Sequence, residues 1–163
     1  VSKKAFDLFG ELNVMNHTEV ESRYEIELEE YSKKVQIEGR VLGDIVRNHI
    51  IPTAFKYQNL LIENIKGLKE IFGAEYEQYA GEQILILKKI SMHINELNSK
   101  LHAMQDARKA ANAMSSAEEM AHAYCDNVKP YFDEIRYHAD KLELMVDNEL
   151  WTLTKYRELL FTR

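Results

Sequence analysis

Apolar residues return along this chain in steps of three and four, and the stripes they make divide it into a few long segments. In the stretch 18–52, Val20, Tyr24, Leu28, Tyr31, Val35, Leu42, Ile45 and His49 share that rhythm. The period is that of one helix face and not of a strand. Thr18 followed by Glu21 has the spacing of a capping box at the start, and Glu29–Lys33 and Glu30–Lys34 are i,i+4 pairs in the favourable order. Pro52 lacks a backbone donor and disfavours helical angles at residue 51, so a kink, or a break with immediate restart, is expected there. Beyond it Phe55, Ile62, Ile65, Leu68 and Phe72 restore the period, and Gly73 stands where a helix C-cap wants glycine.

From Ala74 a third arm keeps a seam of Leu87, Ile90, Ile94, Leu97, Leu101 and Met104, close to a heptad pattern. Ser115 and Ser116 each precede a glutamate by three residues, a doubled start signal for the next arm. There Met120, Tyr124, Val128, Tyr131, Ile135, His138, Leu142 and Met145 continue the stripe, with a bend or fresh start expected near Pro130. A short helix over 2–9, ended by Gly10, precedes the long arms. The tail 147–161 carries Trp151, Tyr156, Leu159, Leu160 and Phe161, apolar enough that it should pack on something. The pattern therefore predicts an all-α fold: a bundle of long antiparallel amphipathic helices with a proline break near residue 52 and a packed C-terminal tail, 1–163 forming one domain.

Composition narrows the function classes. With 163 residues, 45% hydrophobic and 29% charged, the chain is long enough to bury a core. A formal net charge of −6 argues against nucleic acid as partner, and the doublets Lys33-Lys34 and Lys88-Lys89 read as solvated surface. No run of about 18 apolar residues is present to cross a membrane, and no signal-peptide core opens the sequence. The single cysteine, Cys125, reads as a small core hydrophobe and fits a reducing compartment. The sequence opens at Val1 without methionine, as expected of a processed chain or a piece of a longer one.

Candidate chemistry is thin. Glu119-x-x-His122 has the spacing of half a di-metal site in a helical bundle, but no second Glu-x-x-His accompanies it and the pair falls opposite the apolar seam. His93 with Glu96, and Glu134 with His138, read as helix-surface pairs, while His49 and His138 fall on apolar seams where histidine is usually a hydrogen-bonded core residue. No glycine-rich phosphate loop and no local nucleophile signature is found. Nine tyrosines admit two readings, core packing with hydroxyls at the rim or an interaction surface.

The stretch ESRYEIELEEYSKKVQIEGRVLGDIVRNHIIPTAFKYQ together with DKLELMVDNELWTLTKYRELLF resembles the carboxy-terminal region of type III glutamine synthetases. The residues that carry the likeness are Ser22–Ile26, Ile50–Ala54 and Leu142–Phe161. Thr152 and Thr154 depart from it, since relatives tend to carry prolines around the tryptophan. The resemblance implies a longer cytoplasmic parent that joins ammonia to glutamate with ATP and magnesium or manganese and assembles as stacked hexameric rings. It implies no catalytic, cofactor-binding or metal residue in this segment. Its partners would be the catalytic domain of the same polypeptide and neighbouring subunits of a homo-oligomer, met through an interface that includes Trp151, Tyr156, Leu160 and Phe161. The alternatives are a free-standing helical adaptor that binds partner helices through its seams and, more remotely, a di-metal bundle enzyme.

Overall fold

The computed structural model describes residues 2–161; the side chains of Tyr156 and Arg157 lie outside the described residues. The described residues are helical almost throughout and contain no strand. Helix α1 spans Lys3–Glu11 and α2 spans His17–Ile45. A single π-helical turn, Val46–Ile50, leads directly into α3, Ile51–Phe72. A short 3-10 turn, Gly73–Glu75, reverses the chain into α4, Tyr76–Asn112. Then follow α5 (Ala117–Ala123), a second π turn (Tyr124–Val128), α6 (Pro130–Met145) and the one-turn α7 (Tyr156–Leu159). The all-α class read from the stripes is what the chain adopts.

Local chemistry explains each boundary, with three departures from the sequence reading. The box that opens α2 is built by Asn16 and not by Thr18. The Asn16 side-chain oxygen accepts from the Glu19 N–H at 2.9 Å, and the Glu19 carboxylate accepts from the Asn16 N–H at 2.8 Å. Asparagine caps at least as well as threonine, and the reciprocal partner three residues on is already acidic. Gly10 lies inside α1 rather than ending it; the C-cap is Leu12. At Pro52 the chain widens instead of breaking. An α-helical register would set the proline ring against the carbonyl four residues back. In the wide turn the Ile51 N–H bonds back to the Val46 carbonyl, and helix resumes at once. The same device precedes Pro130, where the Lys129 N–H donates to the Tyr124 carbonyl at 2.9 Å.

Two other signals are realised as read. Ser116, the second of the doubled serines, caps α5 by accepting from the Glu119 N–H. Gly73 closes α3 at φ 57°, a backbone region that L side chains rarely adopt.

The chain forms two compact units. The first comprises residues 1–40 and 104–130. In it α2 and α5 run parallel: the Tyr24 hydroxyl donates to Glu118, and the Tyr31 hydroxyl bonds Cys125 one register further along both. Its core holds Val20, Val35, Ala121 and Tyr124, with Val128 fully buried. The second comprises 41–103 and 131–163. Here α3 and α4 form an antiparallel hairpin tied by Gln58 to Ser91 at 2.8 Å and Asn64 to Gln83 at 2.7 Å. Helix α6 lies antiparallel to α4, as Lys100–Glu134 and His93–His138 mark. Ile90, Leu97, Leu101, Ile135 and Leu142, all fully buried, fill its centre. Ile90, Leu97 and Leu101 are on the heptad seam read from the sequence, and Ile135 and Leu142 on the stripe of the following arm.

Candidate functional site

Three groups of side chains stand apart from plain packing. In the first unit, Tyr124 is fully buried, and its hydroxyl donates to the Asn112 side-chain oxygen at 2.6 Å. The Gln36 amide donates to the same oxygen at 3.1 Å. A buried phenol needs such an acceptor, and Asn112, the last residue of α4, supplies it. The three residues border a half-open cavity of about 330 Å³, lined also by Glu25, Glu29 and Lys33. Nearby, the bond that the Tyr31 hydroxyl donates to Cys125, helped by burial, pushes that hydroxyl up to about 12. Tyr24 is also raised, chiefly because its bond to Glu118 favours the protonated phenol.

Cys125 itself is exposed. The reading of it as a core residue is corrected: with Tyr124 and Val128 turned inward, their neighbour between them must face out. Glu119 and His122 are likewise exposed. Among the described residues no three His, Cys, Asp or Glu side chains converge on a metal-sized space.

In the second unit, His93 and His138 meet across α4 and α6 with their Nδ1 atoms 2.9 Å apart. His93 is buried, so its reading as a surface partner of Glu96 is corrected; the heptad seam runs beside it at Ile90 and Ile94. Glu134, expected to pair with His138, instead takes an ion pair from Lys100 of α4. That bond holds the Lys100 ammonium above its ordinary value. His49 is exposed, against its seam reading. The wide turn carries Val46 and Ile50 inward and leaves His49 on the rim.

The third group is the tail. After α6 the chain folds back so that Lys155, only 8% exposed, donates to the Glu143 carbonyl at 2.8 Å and the Asn148 side-chain oxygen at 2.6 Å. A cation over the last carbonyls of a helix is favoured both as a hydrogen-bond donor and against the helix dipole. The Lys155 ammonium also stands 5.6 Å from the Trp151 ring. Burial raises the Glu143 carboxyl, and Lys155 partly offsets this.

Of the four tail residues read as an interface, Trp151 is half-buried, and its indole N–H is buried without an acceptor among the described residues. Leu160 and Phe161 are 81% and 82% exposed. The Tyr156 side chain lies outside the described residues. The packed tail expected from its apolar content therefore packs as far as Lys155 and then presents Leu159, Leu160 and Phe161 outward. Sequence reasoning passed over Lys155; the only signal for it was a lysine set between the apolar residues Trp151 and Leu159 of the tail.

These groups define an all-α domain whose polar contacts serve helix packing. Comparison with known proteins specifies the family. Residues 1–69 match the family model described as "Glutamine synthetase C-terminal domain". Over 157 residues, 96% of this chain and 21% of the relative, it is 47% identical to a glutamine synthetase of Bacteroides fragilis. It is 31% identical over 166 residues to the type-3 glutamine synthetase of Dictyostelium discoideum, covering 99% of this chain and 22% of the relative. A glutamine synthetase of Butyrivibrio fibrisolvens is 27% identical over 162 residues. The chain thus carries a glutamine synthetase C-terminal domain and is related along nearly its whole length to glutamine synthetases, type III included. It spans about a fifth of the length of these curated relatives. No helix among the described residues is long and apolar enough to cross a membrane.

Proposed function

We propose that this chain is the non-catalytic helical scaffold of a longer cytoplasmic enzyme. That enzyme condenses glutamate with ammonia using ATP and a divalent metal, bound elsewhere in the polypeptide. The scaffold's partners are the catalytic part of the same polypeptide and neighbouring subunits of a homo-oligomer. The observation that carries this reading is apolar surface at the ends of rigid elements, in a chain related to glutamine synthetases over a fifth of their length. Leu160 and Phe161 end the tail in the open, and Ile71, 75% exposed, stands with Phe72 at the end of the α3–α4 hairpin. Beyond Ala54 no residue of α3 is buried, and Phe55 and Leu60 stand 50% and 51% exposed. Exposed apolar residues concentrated in this way mark interaction sites.

The test is the assembly state of the longer enzyme. Leu160→Ser with Phe161→Ser should shift the particle to smaller species in light scattering or sedimentation, while the isolated domain keeps its helical signal. An unchanged particle mass would remove the tail from the interface.

A further inference from the structure

The contact between His93 and His138 has a property that ordinary core packing lacks. The two Nδ1 atoms lie 2.9 Å apart, with ring centroids at 5.2 Å and planes tilted by 54°. A hydrogen bond of this kind exists only when one nitrogen bears a proton and the other a lone pair. The neutral pair must therefore hold opposite tautomers. One added proton, placed on the far nitrogen of the donor ring, leaves the bond intact and strengthens it. Two added protons set N–H against N–H at a distance that admits no such arrangement, and the rings must part.

The surroundings oppose that second proton. Burial acts most strongly to hold His93 below the ordinary imidazole value, followed by His138 itself and then by Lys141 on α6; Glu96, on the same helix as His93, acts the other way. Tyr137 meets the His138 ring edge-on at 5.1 Å, with the Lys141 ammonium over the Tyr137 ring. From α3, the group bonded to this stretch of α4 is the uncharged Gln58, on Ser91. A further polar tie between α4 and α6 is Lys100–Glu134, which does not share the histidine proton.

We propose that His93 and His138 form a pH-operated latch between α4 and α6, closed while the two rings carry at most one added proton and released when both are protonated. The sign follows from linkage. His93 binds its proton less readily in the folded chain than in the unfolded one, so acidification favours unfolding. The latch contributes fully above the unfolded histidine value of about 6.5 and is lost as pH falls through it. The two protonation steps belong to the pair as a unit.

The experiment is thermal unfolding of the 163-residue chain at pH 7.5 and 5.5, beside NMR titration of the histidine ring signals. The wild-type midpoint should drop on acidification, and His138→Gln should at least halve that drop; the exposed histidines act equally in both proteins and cancel. Should His138→Gln not fold, the exposed Lys141→Gln replaces it. By removing a repelling charge, it should shrink the drop and move the His93 titration upward. Equal drops in wild type and variant, or a His93 signal that titrates at the ordinary value without loss of amide protection along α4 and α6, would overturn the latch.

Discussion

Lys155 shows how much one side chain can settle. Its ammonium replaces water on the Glu143 carbonyl and the Asn148 amide oxygen, and its alkyl stem leads the tail back over α6. Lys155→Met keeps the stem and removes the donors from the half-buried Glu143 carbonyl and the exposed Asn148 side chain. A hydrogen bond from a charged donor contributes about 1.5–3 kcal/mol, and urea unfolding should register a loss toward the lower end of that range, with faster amide exchange after residue 147. A loss near zero would mean that water serves these acceptors as well. The core positions follow a simpler rule. Leu97 is fully buried on the heptad seam, so Leu97→Ala should cost about 2–5 kcal/mol in the same assay. The stripe made Leu97 legible from the sequence. Lys155 was not legible, because its acceptors, on the last turn of α6 and just beyond it, are reached by a fold-back whose path no periodicity encodes. The same holds for His93. Its neighbours Ile90 and Ile94 were readable as core, but a partner 45 residues away on another helix leaves no local trace.

Among the elements, helix starts are where reading and structure can be separated by mutation. The sequence reading offers Thr18, and the pair Ser115 and Ser116, as caps; the hydrogen bonds choose Asn16 and Ser116. Asn16→Ala and Ser116→Ala should each lower stability by about 1 kcal/mol, while Thr18→Ala and Ser115→Ala should stay near neutral. The reverse ranking in chemical denaturation would restore the Thr18 box. Helix existence and type were plain from the stripes. Their joints were less so, since a proline announces only that the regular ladder cannot continue. Whether the chain kinks, breaks or widens depends on whether the segments on either side keep a common buried face. At Pro52 they do: Val46 and Ile50 before it and Ala54 after it are all buried. A wide turn satisfies both that face and the missing donor.

For the molecule as a whole, the exposed apolar ends matter more than the core. Ile71, 75% exposed, contributes little to the fold of the chain itself, so Ile71→Gln should leave stability within about 0.5 kcal/mol of wild type. In the longer enzyme the same change should weaken assembly if the hairpin end docks there, and an unaltered particle would assign that surface elsewhere. The lone thiol has a practical corollary. Cys125 is the only cysteine, faces water, and has the Tyr31 phenol bonded to it. A maleimide dye on it would tag each copy of the chain once, within quenching reach of an aromatic ring on α2. Brightening of that dye would then report the parting of α2 from the turn after α5, with no second label to engineer.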